Sequence, residues 1–150
     1  MKKNILYLFL ITGVCLSGCF GKKNDVMPNT PVPLSGTYSG KFKLYHVNTS
    51  NTITHIDSTN LNLSMEAATG FKVTGDTTTL HAGSYGSYEV NSTTFQIFFS
   101  DKTFPLTGTP AKIHLSGAYA YEYDGTTLAL LAYGPQDTLQ YYYQFTRTGN

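Results

Sequence analysis

Residues 112–148 read KIHLSGAYAYEYDGTTLALLAYGPQDTLQYYYQFTRT, and their spacing sets the fold class. Apolar and polar side chains alternate through 112–123, 126–133 and 138–148, the period-two pattern of strands with one buried face. Asp124-Gly125 separates the first two runs. An Asp-Gly pair in that position signals a type I′ hairpin, because both central residues need positive φ. Such a turn sets Tyr121 opposite Leu128 and Tyr119 opposite Leu130. Carried through 134–137 with Tyr133 opposite Thr138, the register puts Tyr141 beside Leu130 and Tyr143 beside Leu128. One face of this meander then holds Ile113, Leu115, Tyr119, Tyr121, Leu128, Leu130, Leu139, Tyr141, Tyr143 and Phe145. The other holds His114, Ser116, Glu122, Gln140 and Gln144, with Leu131 and Tyr142 among them.

Upstream the alternation continues. Residues 36–47 place Tyr38, Phe42 and Leu44 against Thr37, Lys41 and Lys43, and residues 57–67 place Leu61, Leu63 and Met65 against Asn60, Asn62 and Ser64. Setting His46 opposite His55 across the loop 48–54 aligns Leu44 with Asp57 and Tyr38 with Leu63. That register keeps the bulky residues on one face, and a slip of one residue would turn the whole set over. The middle is less regular. It reads as a short strand at 71–74, a turn at Gly75-Asp76 and a return at 78–81. A hairpin of 84–90 with 93–100 around Asn91-Ser92 then pairs Tyr88 with Phe95. Residues 101–111, with Pro105 and Pro110, read as a loop skirting one end. No window carries helical spacing with caps. The chain is therefore all-β, with about eight or nine antiparallel strands joined in sequence, closing as a single up-and-down β-barrel. A β-sandwich is the alternative; closure is favoured because it leaves no edge strand.

Residues 1–18 are of another kind. Lys2 and Lys3 precede an apolar run from Ile5 to Leu16, the charged and hydrophobic parts of an export signal, too short to span a bilayer. Leu16-Ser17-Gly18-Cys19 follows at once and resembles the lipobox of bacterial lipoproteins. The resemblance implies cleavage after Gly18, lipidation of Cys19 on sulfur, and attachment to the membrane through N-terminal acyl chains. Each buried methylene of such chains contributes about 0.8 kcal/mol. Cys15 leaves with the signal and Cys19 carries lipid, so no thiol pair remains for a disulfide. Residues 19–33 hold Pro28, Pro31 and Pro33 without hydrophobic period, a flexible tether for the domain at 34–150. Phe20 stands where an inner-membrane retention aspartate would follow the cysteine. The resemblance therefore favours the outer membrane and leaves periplasmic or surface orientation open. Removing Lys2 and Lys3 from a chain of formal charge +1 leaves −1, with no electrostatic footprint for nucleic acid.

Gly36-Thr37-Tyr38 opens the first strand of the domain, and Arg147 lies near the end of the last. Together they resemble the calycin pattern of a Gly-x-Trp start packed under a basic residue of the final strand, with Tyr38 in place of a tryptophan that this chain lacks. Over 34–150 the chain thus resembles the small lipocalin-like lipoproteins of Bacteroidota. The resemblance implies a closure pair, Tyr38 with Arg147, that seals one end. The opposite mouth then admits a small apolar or amphipathic ligand, lined by Tyr119, Tyr121, Leu128, Leu130, Tyr141, Tyr143 and Phe145. Barrels of this size also fill themselves with side chains. The other reading is therefore a non-enzymatic structural or interaction module of the cell envelope, docking an envelope protein through its loops or an outer face that includes Leu131 and Tyr142.

No catalytic constellation emerges from the residues. The carboxylates fall at turns or on polar faces, no serine sits in Gly-x-Ser-x-Gly, and no Gly-rich phosphate loop is present. The chain reads as no enzyme and implies no cofactor. His46 and His55, with Asp57 nearby, are weak candidates for a metal at the end of the first strand remote from Tyr38. Asp57-Ser58-Thr59, Asp76-Thr77-Thr78 and Asp137-Thr138-Leu139 match the short O-glycosylation sequon of Bacteroidota. The lipobox reading has a direct test: Cys19→Ala should abolish palmitate labelling and leave the chain unprocessed or soluble, and label retained by the variant would overturn it.

Overall fold

The computed structural model describes residues 33–134 and 138–149; the stretches expected as export signal and tether, with Cys19, and the expected sequon residue Asp137 lie outside the described residues. Eight strands form: β1 (Gly36–Val47), β2 (Ile53–Glu66), β3 (Gly70–Gly75), β4 (Tyr85–Asn91), β5 (Gln96–Asp101), β6 (Gly117–Tyr123), β7 (Thr127–Tyr133) and β8 (Leu139–Gly149). Each pairs antiparallel with the next and β8 returns to β1, so the sheet is a closed up-and-down barrel and not a sandwich. Strand direction alternates. The connections 67–69, 92–95 and 124–126 therefore lie at one end with Leu34 and Tyr38, and 48–52, 76–84 and 102–116 lie at the other. These are called the lower and upper ends below.

The first hairpin has the register that its hydrophobic face demands, with Tyr38↔Leu63, Leu44↔Asp57 and His46↔His55. Elsewhere the turns move the pairing without turning a face over. Tyr121 faces Leu130 and Tyr123 faces Leu128, a shift of two residues from the type I′ expectation. The cause is Asp124, whose carboxylate accepts the N–H groups of Thr126 (2.8 Å) and Thr127 (2.6 Å) and so begins the turn instead of occupying its centre. Gly125 alone there has positive φ, at 95°. The β7–β8 pairing is displaced by two residues as well, with Tyr133 facing Gln140, Leu130 facing Tyr143 and Leu128 facing Phe145. The β4–β5 hairpin departs further: Tyr88 pairs with Phe99, not Phe95, and Asn91 with Gln96. Asn91 accepts the N–H groups of Thr93 and Thr94, and Phe95 closes the longer turn at φ 52° with its exposed ring against Tyr121.

Two segments expected as strand are not. Residues 78–81 and 112–116 belong to long connections that meet in one parallel bridge, His81↔Ile113, tied by Ala82 N–H to the Ile113 carbonyl (2.8 Å) and Ile113 N–H to the Leu80 carbonyl (3.0 Å). The chain turns out of the second connection into β6 at Gly117, φ 92°. β3 and β4 share only the pairs Phe71↔Gly86 and Lys72↔Tyr85. Above that short seam the two connections fold inward and cover the upper end, burying His81, Ser84 and Leu115 completely.

The inward faces form one continuous core, from Tyr38, Phe42, Leu61, Leu63 and Met65 through Phe71, Ile97 and Phe99 to Leu128, Leu130, Tyr143 and Phe145. The sharply coiled wall has room for β8 beside β1 because position 40 has no side chain. A Cβ on Gly40 would fall on the Gln144 carbonyl oxygen and 2.7 Å from Phe145 Cα, both backbone atoms that the ladder fixes. Gly40→Ala should therefore cost about 3 kcal/mol or more by overpacking, read as a lowered urea midpoint; an unchanged midpoint would mean that the seam yields there.

Candidate functional site

The barrel interior is the first place to look for a ligand, and its centre is a side chain. The ring of Tyr143 lies 4.7 Å from Phe42, 5.7 Å from Tyr119, 5.9 Å from Phe145 and 5.6 Å from the imidazole of His81, centroid to centroid. Rings this close on every side are in contact. Of the residues expected to line a ligand, Tyr119, Leu128, Leu130, Tyr143 and Phe145 are buried against one another, while Tyr121 and Tyr141 are half-buried.

The upper end is sealed by polar groups that satisfy each other. His81 sits over Phe42 with a ring distance of 5.2 Å. Its Nδ1 lies 2.6 Å from the Ala82 carbonyl, which can only accept, so Nδ1 carries the proton and Nε2 accepts the Tyr143 hydroxyl at 2.8 Å. Burial is the main cause that pulls the His81 pKa down to about 4, and the nearby His114 adds to it. Burial likewise raises the Tyr119 hydroxyl to about 12 and lifts that of Tyr143 as well.

Beside this pair lies Asp101, a carboxylate with no exposed side-chain surface. It accepts from the Thr103 N–H and hydroxyl, each at 2.7 Å, and from His114 Nδ1 at 2.7 Å. Burial alone would raise its pKa, but these bonds, with one from Ser84, outweigh burial and hold the group below the usual carboxylate range. Sequence patterning put His114 on the polar outer face and Asp101 at a solvated turn. Both belong inside, because the connection after β5 folds over the barrel end. The arrangement also differs from a hydrolytic triad. Ser84 Oγ accepts the Leu115 N–H (3.2 Å) and no hydrogen bond joins it to the His114 imidazole, so no base is placed to activate it.

The upper rim carries His46 and His55 as cross-strand partners, their rings 5.4 Å apart. Each points Nε2 at a different oxygen of Asp57, at 2.9 Å and 3.1 Å. The hydrogen bonds from His46 and His55, named in order of effect, lower the Asp57 pKa. Both ring nitrogens thus serve as donors to one carboxylate, and among the described residues no group of three or more His, Cys, Asp and Glu is arranged to hold a metal.

At the lower end Tyr38 and Arg147 are register partners across the β1–β8 seam. Their contact is not the guanidinium-over-ring stack that the calycin pattern implied. Arg147 donates Nη2 to the Ser35 carbonyl (2.7 Å) and Nη1 to the Tyr123 hydroxyl (3.1 Å). Tyr38 meets Tyr123 edge to face at 6.2 Å and donates its hydroxyl to the Leu34 carbonyl at 2.8 Å. Outside this end Gly125, Thr126, Arg147 and Gly149 border a depression open to solvent.

The outer wall holds a different surface. Register places Tyr133, Gln140, Tyr45 and Ile56 in one row across β7, β8, β1 and β2. Leu131, Tyr142, Lys43 and Ser58 form the next, and Ala129, Gln144, Lys41 and Asn60 the third. Tyr45 and Tyr142 are 6.3 Å apart, Lys43 Nζ stands 6.0 Å over the Tyr142 ring, and Tyr133 and Ile56 are exposed by half or more.

Comparison with protein-family models, with curated proteins and with solved structures gives no match for this chain.

His81, Asp101 and His114 were not singled out by sequence. The one signal that could have found them is Asp101-Lys102-Thr103, an Asx-turn pattern that fixes the carboxylate at the start of the connection. Stability should report the buried histidine. Its neutral form is favoured by folding, so its contribution is complete above the unfolded pKa of about 6.5 and is lost as pH falls from there towards 4. The loss should approach about 3 kcal/mol in urea unfolding between pH 7 and pH 4, and His81→Gln should flatten that slope; an equal slope in the variant would reject the assignment.

Proposed function

We propose that this chain is a lipid-anchored, non-enzymatic interaction module of the cell envelope, in which the barrel is a filled scaffold and the working surface is its outside. The observation that carries this reading is the position of Tyr143, in ring contact on four sides within an interior closed above by His81 and Leu115. A lipocalin-like carrier of a small apolar ligand would have to expel that ring or lift both upper connections, leaving the Tyr143 hydroxyl or the buried Asp101 without partners. The Leu16–Cys19 stretch supports acyl anchoring, and the missing tryptophan at Tyr38 leaves the kinship with lipocalin-like lipoproteins resting on strand order and Arg147.

Leu131, Tyr142, Tyr45, Ile56 and Tyr133 stand among Gln140, Lys43 and Ser58 on the outer side of the wall that includes the β1–β8 seam, Ile56 and Tyr133 exposed and the other three half-buried. Aromatic side chains displayed beside polar groups on an outer wall are the kind of surface that interaction sites use. Native mass spectrometry of the acylated chain purified from envelopes should give the mass of chain plus acyl groups with no further small molecule. A stoichiometric apolar compound released on unfolding would overturn the proposal in favour of a ligand carrier.

A further inference from the structure

We infer that the outer face of β7, β8, β1 and β2 is a binding platform for an anionic polysaccharide, one whose sugar rings carry carboxylates. This rests on the reading of the chain as an interaction module and names the partner of that same face. The rows interleave rings with hydrogen-bonding groups: Gln140 stands between Tyr133 and Tyr45 in the pairing, and Lys43 between Tyr142 and Ser58. A pyranose is amphipathic in the same sense, with a face of weakly positive C–H groups and a rim of hydroxyls. The C–H face suits the negative face of a tyrosine ring. The rim suits amides and hydroxyls, and no side-chain hydrogen bond within the described residues engages Gln140, Gln144, Tyr45 or Tyr142. Neighbouring strands stand about 4.8 Å apart, so rings on adjacent strands repeat on the scale of one sugar residue, as the 6.3 Å spacing of Tyr45 and Tyr142 shows.

Charge selects among the occupants. Lys41 and Lys43 lie in these rows with no carboxylate among them; the acids that border the third row are Asp76, beside Asn60, and Glu122, beside Ala129. The face is therefore locally positive on a chain that is otherwise close to neutral, and it favours an anion. A second copy docked through the same face by a two-fold axis would bring lysines against lysines. A protein partner needs an apolar centre depleted of charge with polar groups at the rim, whereas here the lysines and amides run through the middle.

The test is titration of the full acylated chain in detergent with oligogalacturonate, neutral dextran and polyglutamate, followed by heteronuclear NMR or calorimetry. Oligogalacturonate should bind, dextran should bind at least tenfold more weakly, and polyglutamate should not bind. Y142A and Y45A should each weaken oligogalacturonate binding about tenfold while the barrel stays folded at the titration temperature, as its NMR spectrum reports, and Y142F should retain binding, since both rings lie on the outer side of the wall. K41Q with K43Q should weaken binding and reduce its salt dependence. Polyglutamate binding as tight as oligogalacturonate, indifference to the tyrosine substitutions, or no oligogalacturonate binding would each overturn the inference. Loss of glycan binding alongside a small-molecule-free native mass would leave the interaction-module reading standing, while a released apolar ligand would remove that reading whatever the glycans do.

Discussion

β1 and β8 have no sequence neighbour to hold them together, yet ten positions pair between them, from Thr37↔Gly149 to His46↔Leu139. The Arg147 guanidinium bonds a carbonyl 112 residues away in sequence. Closing a loop that long costs roughly 4 kcal/mol beyond a fixed constant, and the ladder, the Phe42–Tyr143 contact and the Arg147 bonds must together exceed it. Gly40 lets the two backbones approach. If the seam opens, Phe42 and Tyr143 lose their cover, and with Tyr143 goes the hydrogen bond that seats His81. Sequence-distant pairing of this kind also makes folding slow, because the loop must close before its contacts repay it.

What the sequence made legible was the set of faces. Alternation assigns Tyr38, Phe42, Leu61, Leu63, Leu128, Leu130, Tyr143 and Phe145 to the interior, and all of them are there. Register was legible only where long strands left one solution, as in β1 and β2. The turns were misread by two residues at Asp124 and by four at Asn91, and the same chemistry is at fault in both. Asp124 and Asn91 each capture the N–H groups two and three residues ahead. Asp76 and Asp101 do the same to the second residue ahead, Thr78 and Thr103. An Asx side chain that mimics a backbone carbonyl lengthens the turn by taking its first position. Displacements of an even number preserve the face, so the same side chains reach the core under either register.

The upper connections were not legible, and the reason is electrostatic as much as topological. His81, Asp101 and His114 are polar residues in a stretch of Thr, Gly and Pro, and patterning alone sends such a stretch to the surface. Burial becomes tolerable only once every donor and acceptor finds a partner, and among the described residues no buried side-chain nitrogen or oxygen lacks one. That condition depends on Tyr143 reaching His81 from 62 residues away and on Ser84 meeting Leu115 across 31, pairings that no local window contains. Such a network specifies one arrangement of the two connections, since any displacement leaves a buried carboxylate or imidazole unpaired.

A barrel locked in this way can recognise something only through what it displays. Its loops differ in length and hold their own hydrogen bonds, whereas its wall is a lattice whose side-chain spacing is fixed by the ladder beneath it. Tyr45 and Tyr142 keep their separation because Leu44 and Tyr143, their sequence neighbours on the inner face, are buried in the core. The strand period forces this coupling, for a residue directed outward is held by neighbours directed inward. Filling the interior thus rigidifies the outer rows, and positions on rigid strands hold a binding geometry better than positions on loops. The same tyrosine-rich sequence that leaves little space for a guest inside is what gives the outer face an ordered set of rings.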